Sequence, residues 1–251
     1  VAIVSVVPIV ALDVPTESAA LGIVEELGTL CRFYKIGGEL FTAEGPSVVR
    51  AVRATGAEVF LDLKFHDIPN TVRSAVTSAA RLGVRLVTVH VSGGRAMLRA
   101  AAAAAATAAG TGERCRVLAV SVLTSLDAPA LAEAWGRSGT VQVEEEVVRL
   151  ARLARSSGID GLVCSALEAV AVRQALGPGL DLLIPGIRLS GNGPDDQVRV
   201  ATPAAAAAAG ADYIVLGRAV TEAPDRRRAM DTALEQLESA ASGVVAPRAK
   251  G

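Results

Sequence analysis

The sequence predicts a single (β/α)8 TIM barrel of the α/β class, and three observations carry that prediction. Short β-rich runs alternate with longer Ala/Leu-rich runs eight times within about 240 residues, the count and size of this fold. Runs such as Ile9–Leu12 and Tyr213–Leu216 are apolar at every position, as parallel strands covered by helices on their outer side should be. Polar and charged residues gather where the runs end, and barrels of this kind carry their active sites at the C-terminal ends of the strands. An open, doubly wound sheet is the competing architecture.

The elements follow in order. Pro8–Val14 reads as the first strand, with a helix over Thr16–Leu30. Phe33–Gly37 is the second strand, with a helix over Thr42–Ala54. Glu58–Lys64 is the third. Its helix opens on Pro69, a residue suited to a first helical turn, and stops at Gly83. Val72, Ala75, Val76, Ala79 and Leu82 form its apolar stripe. Arg85–Val91 is the fourth strand, with an Ala-rich helix over Arg95–Ala109. Val117–Leu123 is the fifth, followed by a short helix at Ala128–Trp135 and a longer one at Val143–Ser156. Gly161–Cys164 and its helix Ala166–Leu176 make the sixth unit, and Leu182–Ile187 is the seventh strand. Thr202 to Gly210 is a capped helix with Pro203 in its first turn. Tyr213–Leu216 is the eighth strand, and Asp225–Ser239 is the closing helix. The poly-Ala runs at 100–106 and 204–209 read as ordinary helix, since Ala is the best helix former. The barrel is expected over residues 1–240, with 241–251 a loose tail of Gly, Pro and basic character.

Composition excludes several classes. Of 251 residues 51% are hydrophobic and 20% charged, which rules out a disordered chain. Three cysteines, Cys31, Cys115 and Cys164, are too few for a disulfide scaffold and read as reduced core thiols of a cytoplasmic protein. Lys and Arg (25) balance Asp and Glu (26), so no basic face for nucleic acid or an anionic membrane is expected. The apolar run Val1–Leu12 is too short to span a bilayer and has no basic residue before it, unlike a secretory signal.

The third strand ends in Asp62-Leu-Lys64-Phe-His66-Asp67. Residues two apart on a strand share a face, so Asp62 and Lys64 point into the barrel mouth while Leu61 and Leu63 face the helices. Charges there need partners. Asp13 ends the first strand and Lys35 lies on the second, and with Asp67 they would build an alternating array of carboxylates and ammonium groups. The plainer reading is a structural salt-bridge network plugging the barrel. Strands seven and eight end in Pro185-Gly-Ile-Arg188 and Gly217-Arg218, where barrels often bind phosphate: Gly217 admits an anion to the backbone and Arg218 adds a fork of donors. The polar loop Leu189–Gln197 reads as a lid. His66 and His90, the only histidines, read as packing groups, and Trp135 as core or interface. No metal-ligand cluster is visible.

The stretch Asp62-Leu-Lys-Phe-His-Asp-Ile-Pro-Asn-Thr71 resembles the signature of the orotidine 5′-phosphate decarboxylase family in its common bacterial form. Companion segments extend the resemblance over nearly the whole chain. They are Ala11–Asp13, Tyr34–Phe41, Val89–Gly94, Val122–Ser125, Pro185–Arg188, Asp196–Gln197 and Leu216–Thr221. The resemblance implies decarboxylation of orotidine 5′-monophosphate (OMP) to UMP, with no cofactor and no metal. It implies Lys64 as proton donor to C6 of the pyrimidine and Asp62 beside the departing carboxylate. Asp13 and Lys35 would hold the ribose, and Lys35 and Asp67 would belong to the catalytic array. Asp67 and Thr71 would reach the neighbouring subunit's site in a homodimer. Thr124 would meet the pyrimidine, and Gln197, Gly217 and Arg218 would hold the phosphate with Arg188 close by.

Two rival readings stand beside it. A metal-dependent sugar-phosphate lyase of the same superfamily, such as hexulose-phosphate synthase, shares the Asp-x-Lys-x-x-Asp motif. It resembles a variant with a carboxylate at the strand-two position, where this chain has Lys35, which would repel a cation. A non-catalytic nucleotide-binding barrel would keep Gln197 and Arg218 but could lose Lys64 or Asp67, and both are present.

Overall fold

The computed structural model describes residues 6–108, 114–189 and 199–242. Eight parallel strands close on themselves in sequence order: β1 (Val7–Ala11), β2 (Phe33–Gly37), β3 (Glu58–Phe65), β4 (Leu86–His90), β5 (Arg116–Val120), β6 (Gly161–Val163), β7 (Asp181–Ile184) and β8 (Tyr213–Leu216). Pairing of β1 with β8, Val7 opposite Tyr213 through Val10 opposite Leu216, seals the barrel and sets aside the open sheet. The helices are α1 (Glu17–Leu27), α2 (Gly38–Glu44), α3 (Pro46–Ala54), α4 (Pro69–Arg81), α5 (Gly94–Thr107), α6 (Ala128–Ala134), α7 (Val143–Ser156), α8 (Ala166–Leu176), α9 (Pro203–Ala208), α10 (Arg218–Thr221) and α11 (Arg226–Ala241). Among the described residues no helix is long and apolar enough to cross a membrane.

Alternation along each strand separates two apolar cores. Ile9, Ala11, Phe33, Phe60, Leu86, Leu118, Val120, Val163, Leu183, Tyr213 and Val215 fill the barrel. Their strand neighbours, including Val10, Tyr34, Ile36, Val59, Leu61, Val87, Leu162 and Ile214, pack outward against the helices. Gly161 has no side chain because the space is taken: a Cβ there would lie 2.3 Å from Leu118 Cδ2 and 2.8 Å from the Asp181 carbonyl oxygen. The three cysteines are buried and free, and burial pushes the thiols of Cys115 and Cys164 up to about 12.

Several expected boundaries move. The helix expected over 42–54 is two, because Gly45 takes a φ of +65° and Pro46 starts a new first turn. β1 ends at Ala11, so Leu12 to Val14 belong to the following loop. β5 ends at Val120 rather than Leu123, and Ser121 then binds the Val163 carbonyl through both its backbone N–H and its hydroxyl. β7 ends at Ile184, before Pro185, which has no N–H for a ladder. The four-residue α10, which follows β8 after Gly217, is too short to show an apolar period in the sequence. Thr202 caps α9 by accepting from Ala205 N–H, as its sequence implied. Trp135 is the residue after α6, partly buried, with the Arg137 guanidinium 5.5 Å from its ring centre. α11 extends to Ala241, inside the span expected as tail; residues 243–251 lie outside the described residues.

Candidate active site at the barrel mouth

A cavity of about 500 Å³ opens at the C-terminal ends of the strands. Phe60, Val120, Val163, Leu183 and Val215, the uppermost apolar residues inside the barrel, line it together with three polar groupings. Asp13 comes from the loop just after β1, Lys35 from β2, and Asp62 and Lys64 from β3. Thr124 and Ser125 come from the loop after β5. Pro185–Arg188, Gly217, Arg218 and Glu222 come from the ends of β7 and β8. The volume lies within the range of small-molecule pockets.

The charged wall is one connected array. Lys35 Nζ lies 2.7 Å from Asp13 Oδ1 and 3.9 Å from Asp62 Oδ2, and Lys64 Nζ lies 2.8 Å from the same Asp62 oxygen. Register explains the convergence: Ala11 pairs with Lys35, and Gly37 pairs with Asp62. Gly37 leaves room for the array, since a Cβ there would stand 2.9 Å from Lys35 Nζ and 3.1 Å from Asp13 Oδ1. Lys35 and Asp62 are largely buried while Lys64 is 38% exposed, so Lys64 carries the more accessible ammonium of the array. A charge pair that does read as structural sits at the other end of the barrel, where Arg116 bonds Asp181 at 2.6 Å. Burial raises the Asp181 carboxyl there, against the pull of Arg116.

The expected regular alternation at Asp62 and Lys64 is broken, although both still reach the mouth. Lys64 has a φ of +49°, the one positive value at a non-glycine among the described residues. Between Leu61, opposite Val87, and Phe65, opposite Val89, the ladder shifts, so Asp62, Leu63 and Lys64 stand against Thr88 alone. Left-handed backbone in a residue with a Cβ costs about 1–2 kcal/mol, and such strain is concentrated at functional sites.

Asp67 and Thr71 are exposed, and neither lines this cavity. The Asp67 carboxylate accepts from Ile68 N–H at 2.6 Å, so within one chain it does not extend the array as the sequence suggested. The turn that carries it leaves the strand before Pro69 starts α4. Arg188 and Arg218 line the cavity at the ends of β7 and β8; Gln197 lies outside the described residues, as does most of the expected lid. His90 is half-buried and packs on His66 at 5.5 Å between ring centres, with Ser92 Oγ 3.5 Å from His66 Nε2. Burial, then the nearby His66 and Lys64, push the His90 imidazole below the usual histidine range, against Asp62. Sequence reasoning missed the room left by Gly37, the lining residue Glu222, and Thr88. Only Gly37 carried a signal, as a glycine two residues past a strand lysine.

Residues 7–233 match the model of the orotidine 5′-phosphate decarboxylase / HUMPS family. The chain is 53% identical over 215 residues to an orotidine 5′-phosphate decarboxylase of Anaeromyxobacter sp. (strain K), covering 86% of this chain and 91% of that protein. It is 47% identical over 230 residues to the Pseudomonas aeruginosa PAO1 enzyme of the same name, covering 91% and 96%. The crystal structure of orotidine 5′-phosphate decarboxylase from Lactobacillus acidophilus superposes with a TM-score of 0.81 at 33% identity, covering 92% of this chain and 98% of that one. By sequence and fold the chain belongs to the orotidine 5′-phosphate decarboxylase / HUMPS family.

Proposed function

We propose that the four-charge array and the Arg218 side of the cavity together carry out the family's decarboxylase reaction, OMP to UMP and CO2. The reaction itself follows from family membership and from the relatives, each named for it. The observation that favours it over the metal-dependent branch is Lys35, whose ammonium stands between the carboxylates of Asp13 and Asp62. A divalent cation held by those carboxylates would have to displace it.

The chemistry fits this wall. When the bond from C6 to the carboxylate breaks, CO2 departs and the electron pair stays on C6, with no adjacent carbonyl to spread it. Stabilisation must therefore come from a fixed positive charge where the negative charge develops. Lys64, aimed by Asp62, supplies that charge and then transfers a proton from Nζ to C6, giving UMP. Asp13 and Lys35 hold the ribose, Thr124 meets the pyrimidine, and Arg218, Gly217 and Arg188 receive the phosphate, joined by Gln197. Binding of the remote phosphate and ribose supplies energy for assembling the site. Asp67 and Thr71 serve the neighbouring site of a two-fold homodimer; their exposure, and the neighbouring Ile68, which is 66% exposed, support this. Three buried, unpaired thiols fit a cytoplasmic setting.

The test is the loss of OMP ultraviolet absorbance on incubation with the protein in excess chelator. Full turnover is expected. Loss of activity on chelation, restored by Mg²⁺, would transfer the chain to the metal-dependent reading.

A further inference from the structure

The geometry points to Thr88 as a positioning residue that fixes both members of the reacting pair through one hydroxyl. Thr88 lies in the middle of β4, its side chain inside the barrel, and is fully buried. Its Oγ1 is 2.8 Å from Asp62 Oδ1 and 2.9 Å from the backbone nitrogen of Lys64. A hydroxyl has one proton to give and lone pairs to receive. The Lys64 N–H can only donate. Oγ1 therefore accepts from Lys64 and gives its own proton to the Asp62 carboxylate.

Each bond has a distinct consequence. The bond to Asp62 Oδ1 fixes the plane of the carboxylate, which leaves Oδ2 facing Lys64 Nζ at 2.8 Å and Lys35 Nζ at 3.9 Å. The bond from Lys64 N–H replaces a ladder bond lost where three residues of β3 face one of β4. It holds the left-handed backbone, φ +49°, from which the Lys64 side chain leaves the strand. Valine or isoleucine, the usual choices for a buried strand, would leave both groups without this partner.

This inference rests on Asp62 and Lys64 being the reacting pair, so Lys64→Ala serves as its control. Thr88→Val keeps the shape and removes the hydroxyl; Thr88→Ser keeps the hydroxyl. For Thr88→Val, kcat on OMP should fall about thirtyfold, which is about 2 kcal/mol at 1.36 kcal/mol per tenfold, the size of a lost hydrogen bond to a charged group. KM and the Kd for UMP should stay within about threefold, because binding rests on groups Thr88 does not touch. Thr88→Ser should stay within about threefold of wild type in kcat. If the Val variant does not fold, Thr88→Ala against Thr88→Ser makes the same comparison, since both lack the methyl group. A Val or Ala variant with wild-type kcat beside an inactive Lys64→Ala would overturn the role of Thr88 alone. A Ser variant as impaired as the Val or Ala variant, or UMP affinity falling in step with kcat, would reduce Thr88 to a packing residue. An active Lys64→Ala would overturn the site reading, and the role of Thr88 with it.

Discussion

Lys64→Ala removes the one ammonium of the array that faces the open cavity. The size of the effect can be worked from its surroundings. A unit positive charge about 4 Å from a developing carbanion is worth about 4 kcal/mol at an effective dielectric of about 20. At 1.36 kcal/mol per tenfold this is about 10³ in rate. Loss of a positioned proton donor removes a further 10²–10⁴, roughly. The substitution also leaves Asp62 Oδ2 with Lys35 alone, at 3.9 Å, and the array then carries an extra negative charge where an anionic substrate must sit. The expected fall in kcat is therefore at least about 10³-fold, and about 10⁵- to 10⁷-fold if both contributions are lost in full. The assay follows OMP absorbance, with UMP binding by calorimetry and folding by circular dichroism. The Kd for UMP should change less than about tenfold, since phosphate and ribose contacts remain. A variant turning over within tenfold of wild type would refute Lys64 as the proton donor. A variant that lost UMP binding in proportion to kcat would instead make Lys64 a binding group.

Arg218→Ala should weaken UMP binding by about 1.5–3 kcal/mol, the worth of a charged hydrogen bond, and leave uridine binding nearly unchanged; equal weakening of both would assign Arg218 to the base or the fold. Lys64→Ala and Asp67→Ala, each nearly inactive, should complement when unfolded and refolded together. In a mixed two-fold dimer one site receives both defects and the other neither, so about a quarter of all sites become wild type. No recovery despite proven mixed dimers would place Asp67 in its own subunit's site. His90 should make stability depend on pH. Its imidazole is held below the usual range, so as pH falls below about 6.5 the unfolded chain takes up a proton that the folded chain resists. The contribution is present above that pH and is lost as pH falls toward the folded value. Melting temperature should drop more between pH 7 and pH 5 in wild type than in His90→Gln, and parallel curves would contradict it.

Much of this protein was legible in the sequence because its signals are local. Strand and helix periods, Pro69 and Pro203 at first turns, the Thr202 cap and the charged strand ends are each written in a few adjacent residues. Asp13, Lys35, Asp62 and Lys64 could be placed at one end of a barrel by strand polarity alone. Their contacts could not, because register between strands sets which side chains meet, and register comes from packing over the whole sheet. The ladder shift at Asp62–Lys64 is the sharpest case. Alternation correctly put both residues on one face, but the left-handed Lys64 exists only because β4 offers Thr88 opposite three residues of β3. Thr88 itself looked like any polar residue in an apolar strand; only closure of the barrel buried its hydroxyl between a carboxylate and an N–H. Asp67 shows the opposite limit. Its place at the strand end suggested a member of its own chain's array, whereas the folded chain holds it on the surface in the turn between β3 and α4, its carboxylate accepting from Ile68 N–H.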